Sequence, residues 1–429
     1  MTERARYSIH GLPNDTLTSD VINDRRFKTS AVSTSEDGKQ AFNTEFGEQT
    51  VGFRIDDVSV NFHYGISSKD TIDDSTGTGF ISSVGSDAAV NSGTGIGVGQ
   101  LTTLDSIRYR AGHESLTMVT HDQTALEAGV DVKHGIFDTQ DGLAIGSQGT
   151  VKGVWFIEGG NENFIPFTDF SDDKLDGSGR HGFDWDITKR NLFMITYGYL
   201  SIAPIRFYIA TGDSWVMFHK INLINSITTG HLKNPTLPLS MKVSRLAGTG
   251  SDIQVKAGSW RGGTVGPEAQ INGSNRWYDF TASRTNLPSI NTNQNPNTYH
   301  NIFTLTSAEI LAAKPNHIRA EVAVVNFVVD ANKSVEFVGL INATLVGNDP
   351  FVDINSDNSV MSVSLNGTGN GVTAGAATVL GKTSDRRTSV RGTGIYIRAG
   401  VSFTLGARGI GGASVTGDIS ASFRWVEEF

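Results

Sequence analysis

The sequence predicts an all-β protein, two β-sandwich, jelly-roll-like domains preceded by an extended N-terminal arm. Three observations predict it. Glycine accounts for 49 of the 429 residues and charged residues for only 18%, a composition suited to short strands joined by tight turns. Apolar residues recur at every second position in stretch after stretch, as in Val58, Val60 and Phe62, the period of a half-buried strand. The chain is also longer than one compact β core accommodates and suits two. Residues 1–45 read as the arm, 46–282 as the first sandwich, 283–301 as an Asn/Pro-rich connection and 302–429 as the second sandwich.

The arm is polar, carries charge clusters such as Asp24-Arg25-Arg26 and shows no sustained period. Alternation begins after Phe46 and runs through Val51, Phe53 and Ile55, then Val58, Val60, Phe62 and Tyr64. Its parity switches at Asp56-Asp57, which predicts a turn or bulge. Residues 67–99 are rich in glycine, serine and aspartate and read as hairpins with long tips. Residues 107–120 read as a strand pair turning at Ala111-Gly112. A meander follows over 136–164, with turns at Asp141-Gly142, Ser147-Gln148-Gly149 and Gly159-Gly160. After the polar loop 170–183 come the most β-prone segments, residues 191–200, 205–211 and 215–224, the last two joined by a turn at Thr211-Gly212-Asp213-Ser214. Residues 237–244 and 253–257 complete the first domain. In the second, Ser307–Ala313 reads as a short helix capped by Ser307 and stopped before Pro315. Strands are expected within 318–329, 335–346, 359–365, 394–406 and 418–429, and no strict internal repeat is present.

Composition and motifs exclude much chemistry. Without cysteine there is no disulfide, thiolate nucleophile or cysteine-ligated metal. No apolar run approaches the roughly 20 residues of a membrane helix. The first residues lack the apolar core of a signal peptide, so the chain is expected to stay in the cytosol where it is made. A net charge of −9 argues against coating nucleic acid, although Arg386, Arg387, Arg391, Arg398, Arg408 and Arg424 make the last part locally basic. The glycines Gly93, Gly95, Gly97 and Gly99 fit neither a dinucleotide fingerprint nor a P-loop and read as a flexible turn. Gly212-Asp213-Ser214 lies where a hairpin tip belongs, not on a nucleophile elbow. Asp172, Asp173, Asp176, Asp184 and Asp186 form an acidic cluster whose spacing misses a calcium loop. The ten histidines show no metal-ligand spacing and read as ordinary polar strand and loop residues. The tryptophans Trp155, Trp185, Trp215, Trp260, Trp277 and Trp425 read as core or interface residues, with stacking on sugars as the alternative. No catalytic, cofactor-binding or metal-binding residue is assigned, and no enzyme activity is expected.

Several segments in a shared order carry a family likeness: VNFHYGIS from Val60, IRYRAGHE from Ile107, GIFDTQDGLAIG from Gly135, and DKLDGSGRHGFDWDITKRNLFMITYGYLSIAPIRFYIA from Asp173 to Ala210. HKINLINS from His219, LKNPTLPLSMKVS from Leu232 and the ending FRWVEEF extend it. With them the chain resembles a mostly uncharacterised family of tailed-bacteriophage virion proteins. The resemblance implies a β-sandwich virion protein and no catalytic residue. It leads to the expectation of a structural component of the collar, baseplate or fibre. That component would assemble through its arm and strand edges with copies of itself, as a ring or trimer, and with other phage structural proteins. A receptor- or carbohydrate-binding fibre protein that meets a host surface glycan is the alternative, and a head decoration protein the second.

Overall fold

The computed structural model describes residues 53–110, 112–199, 203–212, 214–228, 230–266, 275–284, 298–311, 313–331, 335–345, 350–354, 359–365, 371–373, 376–383, 387–409 and 417–428. The expected arm, residues 1–45, lies outside them. The regular structure of the described residues is almost entirely antiparallel strand, arranged as two jelly-roll-like sandwiches. No described helix is long and apolar enough to cross a membrane.

In the first sandwich one sheet runs Trp215–Ile221, Ile205–Ala210, Asn191–Tyr197, Glu114–Gln123, Gln254–Ala257, Asp87–Asn91 and Phe80–Val84. Ser259–Gly266 also pairs with Glu114–Gln123, and Phe53–Asn61 pairs with Ser259–Gly266. The facing sheet runs Asn161–Pro166, Val151–Glu158, Gly142–Gln148, Val130–Phe137, Leu237–Arg245, Gly97–Ile107 and Thr71–Asp73. Inward residues of both sheets, among them Phe62, Leu101, Val132, Ile145, Phe193, Phe207, Met241 and Trp260, form one core. Close approach fixes Gly262, because a Cβ there would stand 2.3 Å from the Cδ1 of Ile107.

The meander and the hairpin across Gly212 stand as the sequence indicates. So does the irregularity at Asp56-Asp57, where a bulge leaves Asp57 as the extra residue. The bulge turns the Asp57 carboxylate onto Arg110, whose two Nη atoms reach both oxygens at 2.7 and 3.1 Å in a buried fork.

The second sandwich packs the sheet Asn275–Arg284, Gly417–Glu428, Arg319–Ala331 and Arg387–Ile397 against a larger one. The larger sheet runs Thr344–Leu345, Gly371–Thr373, Thr298–Ser307, Ser402–Gly409, Val335–Ile341 and Ala376–Thr383. Period-two burial is plain in Gly417–Glu428, where Ile419, Ala421, Phe423 and Trp425 face the core and Arg424 faces out. Phe327 stacks on Phe337 at 4.0 Å between centroids, and Phe303 meets Phe423 edge-on. Trp425 is buried as its sequence position suggests, and its Nε1 donates to the buried Glu427 carboxylate at 2.9 Å.

Three sequence expectations are corrected. Asn275–Arg284 belongs to the second sandwich, pairing along its whole length with Gly417–Glu428, and Thr298–Ser307 already begins inside the expected 283–301 connection. The segment expected to be helical instead forms the two-stranded ribbon Ile310–Leu311 with Lys314–Pro315. Its helix propensity is outweighed by pairing, since Ser307 is already committed to the preceding strand and pairs with Met361. The segments on either side of Ala111-Gly112 are no hairpin, for Gly97–Ile107 and Glu114–Gln123 lie in opposite sheets.

Polar contacts join the two sandwiches. His317 Nε2 lies 3.0 Å from Asp138 Oδ2, and Asn234 donates to the Pro315 carbonyl at 3.0 Å. Arg319 and Arg398 both approach Asp105, and Lys314 Nζ reaches the Lys233 carbonyl.

Candidate sugar-binding face

The outer face of the four-stranded sheet carries an exposed groove beside a solvent-facing tryptophan. In Asn275–Arg284 alternation sends Tyr278 inward, where its ring stacks on Trp425 at 5.5 Å, and leaves Trp277 outward and 60% exposed. Cross-strand pairing then builds a surface beside it. Asp279 stands opposite Arg424, which stands opposite Val324; Thr281 stands opposite Ser422, which stands opposite Asn326.

A bulge between Val322 and Val324 inserts Ala323 into the third strand. A bulge of this kind bends its strand and sharpens the twist. The result is a shallow groove of about 460 Å³ lined by Trp277, Asp279, Ala323, Val324, Asn326, Ser422 and Arg424.

The polar groups of the groove are already oriented. Arg424 donates to Asp279 in a fork, Nε to Oδ1 at 2.8 Å and Nη2 to Oδ2 at 3.1 Å. Asn326 Nδ2 donates to Ser422 Oγ at 3.1 Å. The hydrogen bond and charge of Arg424 hold the Asp279 carboxyl below the usual carboxylate range. Among the described residues lining the groove, Asp279 is the one carboxylate, and it is held ionised. Glycoside hydrolysis ordinarily needs a pair of carboxyl groups, one of them protonated. The groove offers an aromatic plate with donors and acceptors fixed beside it.

No family model matches the chain and no curated protein matches it. Several solved structures are similar over part of it. One is a botulinum neurotoxin type C structure concerned with interaction with ganglioside molecules: 9% identity, TM-score 0.33, covering 72% of this chain and 78% of that one. Another is an endo-acting O-glycanase of the human gut microbiota, with 11% identity, TM-score 0.33, and coverage of 49% and 98%. The carbohydrate recognition domain of Emp46p has 6% identity, TM-score 0.30, and coverage of 47% and 94%. At such scores these likenesses say nothing about what this chain binds.

Of the tryptophans singled out in the sequence, Trp155, Trp185, Trp260 and Trp425 are core residues and Trp215 is half-buried, whereas Trp277 stands in the open. The signal that distinguishes Trp277 is parity. In the RWYDF segment, Trp277 and Asp279 share one face while Tyr278 and Phe280 share the other. Sequence reading did not single out Asp279, Asn326 or Ser422, because nothing in one strand shows which residues lie beside it.

The other motifs resolve into structure. In the acidic cluster, Asp173 accepts from the Leu175 amide at 2.9 Å, Asp176 from the Ser178 amide at 2.9 Å and Asp186 from the Thr188 amide at 2.9 Å, so these carboxylates anchor turns. Among the described residues no three His, Asp or Glu side chains gather as a metal site.

The histidines depart from expectation, because His113, His121, His134, His219 and His231 are all buried in the first sandwich. Trp260 Nε1 donates to His134 Nε2 at 2.7 Å, and His134 Nδ1 lies 3.1 Å from His121 Nδ1. An indole can only donate, so His134 Nε2 accepts and its proton sits on Nδ1, directed at His121. Burial drives both rings toward the neutral form, His121 to about 4 and His134 in the same direction, with the His121 ring adding to the effect at His134.

Proposed function

We propose that this chain is a glycan-binding component of a tailed-phage particle, and that the outer face around Trp277 is its sugar platform. The observation that supports it is the exposed indole of Trp277 beside the Asp279–Arg424 fork and the Asn326–Ser422 pair. A pyranose presents a face of C–H groups, which stacks on an indole, and a rim of hydroxyls, which both donate and accept. A carboxylate, a guanidinium, an amide and a hydroxyl within one groove supply both kinds of partner. With one ionised carboxylate among the described lining residues, the face is expected to bind without cleaving.

A glycan array probed with the full chain tests this reading. Wild type is expected to bind a subset of bacterial surface glycans, and Trp277→Ala to lose at least about tenfold in affinity, since each 1.4 kcal/mol of lost stacking is tenfold. A folded wild-type chain that binds nothing on such an array would overturn it.

The particle half of the reading is supported by the ordered likeness over roughly residues 46–257. Mass spectrometry of purified virions tests it, and absence of the chain from mature particles would reject it. Assembly into a ring or trimer belongs to the same proposal, with residues 1–45 as the attachment device.

A further inference from the structure

The row of residues that holds Trp277 continues across all four strands of its sheet. Trp277 stands opposite Val426, Val426 opposite Glu321, and Glu321 opposite Tyr396. Residues directly opposite one another in a ladder share a face, so all four side chains lie on the outer side. Their chain neighbours Tyr278, Trp425, Val322 and Ile397 pack into the core instead. Exposure along the row is uneven. Trp277 is 60% exposed at one end and Tyr396 36% at the other, whereas Val426 is buried and Glu321 half-buried between them. An open aromatic ring thus stands at each end of a low middle. Tyr396 is also held in place, because the Arg319 guanidinium lies 4.6 Å from its ring centroid and Arg319 Nη1 is tied to Asp105 at 3.4 Å.

Spacing gives the pair its meaning. Trp277 and Tyr396 are three strand spacings apart, about 14 Å. An extended glycan advances by close to one strand spacing per sugar unit. A linear chain laid across the strands therefore sets one unit over each strand, the first over Trp277 and the fourth over Tyr396. The geometry points to a linear oligosaccharide of at least four units as the ligand of this face, with Trp277 and Tyr396 as its two end subsites. This rests on the sugar-binding reading of Trp277 and deepens it. The C–H faces of the end units stack on the two rings, and the second unit crosses the low apolar floor at Val426. The Asp279–Arg424 fork flanks the row beside the first two units, and the Glu321 carboxylate meets the hydroxyls of the third. A single sugar or a short branch tip reaches only one of the two rings.

A size ladder tests the inference. The glycan bound most strongly by the full chain on the array is partially hydrolysed, and its fragments of one to six units are titrated calorimetrically into the full chain. Affinity is expected to step up by at least about tenfold between three and four units, then to level off. Tyr396→Ala should erase that step and leave the binding of one- and two-unit fragments as in wild type, which also shows that the variant is folded. Should Tyr396→Ala fail to fold, the wild-type ladder alone decides. The inference is overturned if four units bind no more tightly than three, or if the step survives in Tyr396→Ala, as it would for a glycan running along the strands. A blank array overturns the sugar-binding reading and this inference with it, whereas an array hit without the four-unit step overturns this inference only.

Discussion

Mild acid should loosen the first sandwich through its buried histidines. Burial depresses His121 and His231 to about 4 from an ordinary 6.5, with Asp122 partly offsetting the effect at His121. His134 and His219 shift in the same direction, again chiefly by burial. A histidine with a lowered folded pKa takes up its proton first in the unfolded chain. Stability is therefore fully present above pH 6.5 and is lost as pH falls from 6.5 toward 4, levelling off once the folded state also protonates. At 1.36 kcal/mol per unit, a depression from 6.5 to about 4 corresponds to about 3 kcal/mol each for His121 and His231. That is a large share of the 5–15 kcal/mol typical of a domain. Asp74 and Asp131, whose carboxyls burial pushes up, oppose the loss, though their protonation begins lower on the pH scale. The assay is denaturant unfolding at pH 7.5, 6.5, 5.5 and 4.5, read by tryptophan fluorescence because Trp260 lies in the histidine chain. The unfolding free energy should fall by only about 1 kcal/mol from pH 7.5 to 6.5, then by at least about 1.4 kcal/mol per pH unit. A flat profile down to pH 4.5 would show that these rings are not desolvated in the folded protein.

Further outcomes follow from the same structure. Trp425→Ala should destabilise the second sandwich by about 3–5 kcal/mol, since it opens a cavity and strips a donor from buried Glu427; chemical denaturation measures it, and a near-zero change would mean the indole is not in the core. Trp277→Ala should change stability by less than about 0.5 kcal/mol while abolishing array binding, which separates a surface role from a structural one. Asp57→Ala should cost about 3–5 kcal/mol by leaving Arg110 buried without its carboxylate, and a loss under 1 kcal/mol would contradict the burial of that pair. Asp105→Asn should weaken the junction, so that scanning calorimetry resolves two transitions where wild type shows a more merged profile; unchanged profiles would show that Arg319 and Arg398 contribute nothing there.

The sequence by itself determined the fold class, because a period of two needs no partner to be read. Alternation from Val58 to Phe62 and from Ile419 to Trp425 marks one buried and one exposed side per strand, and glycine-marked turns such as Gly159-Gly160 delimit the meander. The bulge at Asp56-Asp57 was legible as a parity switch. Only the tertiary structure decided which strands far apart in sequence pair. Asn275–Arg284 went to the second sandwich because its partner, Gly417–Glu428, lies more than a hundred residues along the chain. The same holds for every site described. Trp277, Arg424 and Asn326 share a face through pairing of three distant strands, and Asp105 meets Arg319 and Arg398 only across the junction of two sandwiches. The histidine chain is of the same kind, for His121 and His134 lie on opposite sheets and touch through the core. Periodicity is a local property of the chain, whereas side-chain proximity in a sheet is set by register and packing between segments far apart in sequence.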